Sequence, residues 1–130
     1  MEQPFIPEGN QAVMPYLMLK SAADFIRFTQ EVFNATTNGD IHKRPDGEGI
    51  MHAEVMISGS TIMCCDTRDN WKATPANLFV YVPDADDAYQ KALAAGATSV
   101  MALSNQEYGR TCGVQDPSGN VWWITTVIRK

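Results

Sequence analysis

The sequence predicts an α+β fold in which a strand, a helix and three further strands occur twice. The resulting mixed sheet is cupped, and the helices cover its outer face. An apolar strand that leads into a helix start occurs at residues 16–24 and again at residues 79–87. Segments of alternating apolar residues follow both copies, and turn-forming glycine pairs separate them. A unit written twice in one chain predicts two similar βαβββ modules.

Each half begins with a short apolar strand, at residues 16–19 and at residues 79–82. Ser21 and Asp84 follow these strands as predicted N-caps, and each is followed three residues later by an aspartate, Asp24 or Asp87. Short polar side chains at these positions accept hydrogen bonds from free backbone N–H groups and suit the positive end of a helix. Both junctions therefore predict the start of a helix.

The first helix is predicted over residues 22–33, with a buried stripe at helical spacing and a stop at Asn34. The second is predicted over residues 85–95 and ends at Gly96, a residue that readily adopts the left-handed conformation of a helix C-terminus. The predicted strands after the helices are residues 36–43, 50–57 and 61–66, then 99–102, 108–115 and 120–128. We assign residues 1–12 to an extended N-terminal arm and residues 13–130 to a single domain of two modules, 13–66 and 77–130.

Composition excludes several classes of function. The 130 residues carry a net charge of -5, and basic residues form no cluster, so we expect neither a nucleic-acid nor an anionic-membrane partner. Residues 1–12 contain two prolines and two glutamates, and we expect no signal peptide or membrane span there. The odd cysteine count, Cys64, Cys65 and Cys112, predicts reduced and buried thiols in a cytoplasmic protein.

Strand alternation divides each predicted strand into two rows of side chains. Aliphatic rows, such as the one through Ala53 and Val55, suit the face that the helices cover. The opposite rows, such as His52 and Glu54, mix methionine, aromatic and polar residues, which is typical of a small-molecule pocket. Two other interpretations of these rows stay open, a solvated sheet face and a dimer interface.

Five segments together carry a resemblance to a known family. They are MHAE at residues 51–54, SGS at 58–60, LAAGA at 93–97, YGR at 108–110 and DPSGNVW at 116–122. In order and spacing the chain resembles the PhnB-like branch of the vicinal oxygen chelate superfamily, which includes glyoxalases, bleomycin resistance proteins and dioxygenases. The resemblance covers residues 13–128. It implies a glyoxalase-like fold and a homodimer.

The resemblance also indicates where metal-using members place their ligands. The corresponding positions here hold Met14, Met63, Asn77 and Trp123. Two thioethers, an amide and an indole are poor ligands for the divalent ions that such sites bind. We therefore expect no metal and no other cofactor.

The preferred functional hypothesis is metal-independent binding of a small polar or aromatic metabolite or drug in a dimeric cup. The predicted ligand-binding residues are Met14, Tyr16, His52, Glu54, Met63, Phe79, Tyr108, Arg110 and Trp123. Arg110 suits a carboxylate or phosphate on the ligand, or else a pair with an acidic neighbour.

Two alternative functions remain. One is an enzyme, either a glyoxalase-type lyase or isomerase or a metal-free acid–base catalyst with His52 and Glu54 as the candidate catalytic pair. The other is a structural module that serves only dimerisation. Trp71, in the connection between the modules, is interpreted either as a lid or as a dimer contact.

Overall fold

The computed structural model describes residues 5–68 and 72–127, which form two β-sheets and two α-helices. The first half contains β1 Tyr16–Leu19, α1 Ala22–Phe33, β2 Thr36–Thr37, β3 His42–Lys43, β4 Ile50–Ile57 and β5 Ser60–Asp66. The second half contains β6 Asn77–Tyr81, α2 Ala85–Ala94, β7 Thr98–Gln106, β8 Gly109–Gln115 and β9 Val121–Val127. Neither helix has the length and apolar character needed to cross a bilayer.

The two sheets have the same strand topology. The first has the order β1-β5-β4-β2, with β3 also pairing with β4, and the second has the order β6-β9-β8-β7. In each sheet the first strand lies parallel to the last, and the remaining pairs are antiparallel. The short strands β2 and β3 both pair with β4 and together take the place that β7 has beside β8, so both halves follow the βαβββ order. The predicted α+β class with open, cupped sheets is confirmed.

One hydrophobic core joins the modules, and aromatic residues of α1 connect it to the second sheet. Trp122 of β9 is buried, and its ring centroid lies 6.1 Å from that of Phe25 and 4.7 Å from that of Phe33. The same core contains the aliphatic rows of both sheets and the small residues of α2. The halves are thus held together by burial of apolar area on the helix-covered side of each sheet.

The helix ends agree closely with the sequence prediction. Ser21 and Asp84 accept hydrogen bonds at their side chains from the backbone N–H groups of Asp24 and Asp87. Asn34 adopts the left-handed conformation directly after α1, with φ of 56°. The second helix ends at Ala94, one residue before its predicted end.

Two predicted strands are wrong in extent. The single strand predicted over residues 36–43 is divided into β2 and β3, because Gly39 takes a φ of 79° and the side chain of Asn38 is turned towards Glu54. The strand predicted over residues 99–102 is too short, because β7 continues to Gln106. It stays paired with β8 along this length despite two shifts in register. Residue 128, the predicted end of the last strand, lies outside the described residues, as does Trp71.

The turn between β8 and β9 is built around the buried carboxylate of Asp116. One carboxylate oxygen accepts the backbone N–H groups of Ser118 and Asn120, both at 2.9 Å. The other accepts the indole N–H of Trp122 at 2.8 Å. The side chain of Asn120 in turn accepts the backbone N–H of Ala76 at 3.1 Å. The Asp-Pro-Ser-Gly segment therefore holds the central tryptophan of the core in place.

Candidate functional site

The sheet faces turned away from the helices are called here the first and second open faces. Residues opposite each other in the register share a face, so the pairs Tyr16–Met63 and Glu54–Met63 define the first face. The pair Phe79–Trp123 defines the second. The first open face contains Tyr16, Met18, His52, Glu54, Met56, Thr61, Met63 and Cys65. The second contains Asn77, Phe79, Tyr81, Thr111, Gly113, Trp123 and Thr125, with Tyr108 beside it.

Glu54 is the polar centre of the first open face. Its Oε1 accepts the side-chain amides of Asn10 at 2.8 Å and Asn38 at 2.9 Å. Its Oε2 lies 3.2 Å from Nε2 of His52. Burial alone raises the pKa of Glu54, but the hydrogen bonds from Asn10, His52 and Asn38 outweigh that effect and lower the pKa below its usual value. The carboxylate is therefore charged at neutral pH.

Replacing Glu54 with glutamine should reduce the dependence of stability on pH in the acid range. A depressed pKa favours folding above the unfolded-state pKa, and that contribution is lost as pH falls through the folded-state value. The loss of unfolding free energy between about pH 6 and about pH 3 should be smaller in Glu54→Gln than in the natural protein. Urea unfolding at both pH values measures this. The exposed substitution Glu31→Gln serves as the control, and an equal pH dependence in Glu54→Gln would contradict the expectation.

The N-terminal segment packs against the first open face. A backbone hydrogen bond from Asn10 to Pro7 closes a turn, so residues 7–10 of the predicted extended arm are not extended. The Gln11 side chain donates to the Thr61 carbonyl at 2.7 Å and accepts the Thr61 N–H at 3.2 Å. Next to these contacts, a cleft of about 240 Å³ lies between residues 5–12 and the side chains of Met14 and Met63.

The second open face holds Trp123 in a fixed orientation. Its indole N–H donates to Oδ1 of Asn77 at 3.1 Å. The ring lies directly over Gly113, where an added Cβ would approach Cζ3 of the tryptophan to 2.7 Å. Glycine at this position of β8 therefore gives the indole its place on the sheet.

Aromatic side chains on the second open face are exposed. Phe79 is 52% exposed, Tyr81 63% and Tyr108 52%. The ring centroid of Phe79 lies 5.2 Å from that of Tyr81 and 6.4 Å from that of Tyr108. Contiguous exposed aromatic area of this kind is characteristic of a surface that binds a ligand or another protein surface.

A cleft of about 320 Å³ lies where the two sheets meet. Phe79 and Tyr81 line one side, Gln11 and Thr61 line the other, and Trp122 contributes to its lining. Its volume falls within the range of small-molecule sites. No hydrogen bond or ring contact within residues 5–68 and 72–127 joins the two open faces directly.

Arg110 does not lie with the other predicted site residues. It pairs with Thr126 in the register and shares its row with Cys112 and Val114, on the helix-covered side of the second sheet. Its Nε donates to Asp86 of α2 at 2.9 Å. The predicted position beside the cup is therefore wrong, because strand alternation turns this side chain away from Trp123. The remaining predicted residues lie on or beside the two open faces.

The side chains at the implied metal positions do not fit a divalent ion. The Asn77 oxygen is occupied by the indole of Trp123, and Met63 offers only a thioether. Burial raises the pKa of Cys64 to about 12 and that of Cys112 to about 11, so neither thiol ionises near neutral pH. Within the described ranges, no group of three His, Cys, Asp or Glu side chains is placed to hold a metal ion.

Three polar residues near the first open face were not predicted from the sequence. Asn10 and Asn38 bind Glu54, and Gln11 binds the backbone of Thr61. Each comes from an irregular segment, where hydrophobic periodicity carries no information about side-chain direction. The Asn-Gly pair at residues 38–39 is a turn signal, and it would have indicated the interruption between β2 and β3.

Comparison with known proteins finds one matching family model and several similar proteins. The model of the Glyoxalase/Bleomycin resistance protein/Dioxygenase superfamily matches residues 12–124. A protein of Mycobacterium bovis, described as uncharacterized, is 34% identical over 92% of this chain and 85% of its own length. Among solved structures, TioX from Micromonospora sp. ML1 has a TM-score of 0.72 at 21% identity, covering 92% of this chain and all of TioX. A putative 3-demethylubiquinone-9 3-methyltransferase, the PhnB protein of Bacillus cereus, has a TM-score of 0.69 at 18% identity, covering 90% and 100%.

Proposed function

Because the chain belongs to the glyoxalase/bleomycin resistance protein/dioxygenase superfamily, we propose that it binds a small, planar, partly aromatic molecule without the help of a metal ion. The exposed aromatic group Phe79, Tyr81 and Tyr108, next to the cleft between the sheets, is the observation that carries this proposal. Aromatic side chains bind planar ligands through stacking and edge contacts and by removing apolar surface from water. The ligand is a metabolite or drug of this chemical class.

The proposed site uses a second copy of the chain. Monomeric proteins rarely leave a large contiguous apolar patch in contact with water, and this surface contains three exposed rings together with Val127. In the proposed homodimer, the open face of one protomer is covered by the partner, and the ligand lies in the cup between them. We also propose that the protein acts in the cytoplasm, which is supported by three buried, unpaired cysteines.

One observation favours a second candidate function, acid–base catalysis without a metal. The contact between His52 and Glu54 resembles the arrangement in which a carboxylate orients a catalytic imidazole. This candidate predicts turnover that is lost in Glu54→Gln. Binding is preferred because the exposed aromatic surface is explained by a ligand and a partner, whereas the imidazole–carboxylate contact alone does not account for it.

Quenching of tryptophan fluorescence by planar aromatic compounds tests the binding proposal. We expect saturable quenching, because Trp123 lies on the second open face and Trp122 lines the cleft. Phe79→Ala should weaken the affinity roughly fivefold, in line with the loss of one aromatic contact. Lys91→Ala, an exposed substitution on α2, should leave it unchanged. If no compound of a broad panel quenches saturably, the site does not bind this class, and a dimer found under the same conditions would favour the structural module.

A further inference from the structure

We propose that the first open face recognises a ligand group that donates an N–H or O–H hydrogen bond, and that Nδ1 of His52 is the acceptor. This inference rests on the proposed function, since it assumes that the open faces bind a small molecule. It adds a polar contact, the hydrogen bond to His52, to the aromatic contacts of the proposed function. The ligand class becomes an aromatic molecule with a neutral donor, such as a phenol, an indole or an anilide.

The acceptor role follows from the surroundings of Glu54. An ionised carboxylate can only accept hydrogen bonds, so the contact of 3.2 Å between Oε2 of Glu54 and Nε2 of His52 requires a proton on Nε2. The side-chain amides of Asn10 and Asn38 hold the other carboxylate oxygen, which fixes the carboxylate in place. Both asparagines are therefore positioning residues that act on the imidazole through Glu54.

A neutral imidazole with its proton on Nε2 presents a lone pair at Nδ1. No residue in the described part of the chain makes a hydrogen bond to this nitrogen. The His52 side chain is 30% exposed, so the ring is accessible from solvent. Burying such an acceptor under a ligand without a donor leaves it unpaired and costs affinity, whereas a ligand with a donor satisfies it.

The groups around the imidazole suit an aromatic ligand. The Tyr16 ring meets the His52 ring edge-on, with centroids 5.7 Å apart and an interplanar angle of 84°. The neighbouring side chains on the face are soft and apolar, including Met63 and Met18. Burial and the nearby thiol of Cys65 raise the pKa of Tyr16, although the positive charge of Arg68 opposes this rise. The phenol of Tyr16 is therefore neutral at physiological pH and adds no negative charge beside the acceptor.

A pair of probes that differ only in the donor tests the inference, namely 2-naphthol and 2-methoxynaphthalene. The natural protein should prefer 2-naphthol, and His52→Phe should reduce that preference roughly fivefold, the effect of one neutral hydrogen bond. His42→Phe removes the exposed histidine that pairs with His52 across β3 and β4, and it should retain the preference. Nitrogen-15 NMR of labelled histidine should show the Nε2–H tautomer for His52 in the free protein.

Each outcome decides for or against the inference. A proton on Nδ1 of His52, in the Nδ1–H tautomer or in the doubly protonated imidazolium, would overturn it whatever the probes do. If both probes bind and the preference is the same in His52→Phe, the inference fails while the proposed binding function stands. If neither probe binds, both fail. A preference that disappears in His52→Phe but persists in His42→Phe supports both.

Discussion

Gly113→Val should weaken the binding of planar aromatic probes by at least roughly tenfold. The Trp123 ring occupies the space that a side chain at position 113 would need, because even a Cβ there would lie 2.7 Å from one ring carbon and 2.9 Å from another. The indole must leave its place and lose the hydrogen bond to Asn77, which is 3.1 Å long in the natural protein. The second open face then presents a different aromatic surface to the ligand.

Fluorescence titration measures the affinity, and near-ultraviolet circular dichroism reports the displacement of the indole. Gly113→Ala should give a smaller effect in the same direction, since its Cβ makes the same close approach without the two extra methyl groups. Gln115→Val provides the matched control. It introduces valine on the same strand and the same face, two residues beyond Gly113, at a position that pairs with Val121 rather than with Trp123. Unchanged affinity in Gly113→Val, with a displaced indole, would mean that Trp123 takes no part in the site.

Asp116→Asn should lower the free energy of unfolding by about 3 kcal/mol. The buried carboxylate accepts the backbone N–H groups of Ser118 and Asn120 and the indole N–H of Trp122. The substitution replaces one carboxylate oxygen with an amide NH2 group, which donates hydrogen bonds. At least one of these N–H groups then faces another donor in the core. The substitution thus releases the tryptophan that contacts α1 and connects the two modules.

Chemical unfolding of both proteins under identical conditions gives the difference. Asp86→Asn removes an exposed carboxylate from its pair with Arg110 and should cost less than about 1 kcal/mol, which is typical of surface ion pairs. A loss in Asp116→Asn as small as that in Asp86→Asn would show that the turn does not anchor the core.

Much of the fold could be predicted because it rests on local signals. The N-caps Ser21 and Asp84 and the left-handed stop at Asn34 are properties of a few consecutive residues, and the bounds of α1 were predicted without error. The alternation from residue 52 to residue 57 likewise predicts β4 and the direction of its side chains, whereas at the start of the strand Ile50 is buried and Met51, which alternation places in the core row, is exposed. Periodicity therefore indicated which residues face the core.

The remaining features depend on contacts between distant segments. Asn10 reaches Glu54 across 44 positions of the chain, and nothing near residue 10 indicates that its amide faces a carboxylate. The length of β7 depends on its pairing with β8 rather than on its own weakly periodic sequence. Arg110 is a different case, because its row with Cys112 and Val114 was visible in the sequence and already placed it on the helix-covered side.

The most direct test of metal-independent binding is a fluorescence titration of chelator-treated protein with a planar aromatic ligand, repeated after addition of zinc or manganese. We predict the same affinity in both titrations, because Asn77 is engaged by Trp123 and the other implied metal positions offer thioethers and an indole. Binding that appears only after the ion is added, with one ion retained per site, would contradict the account.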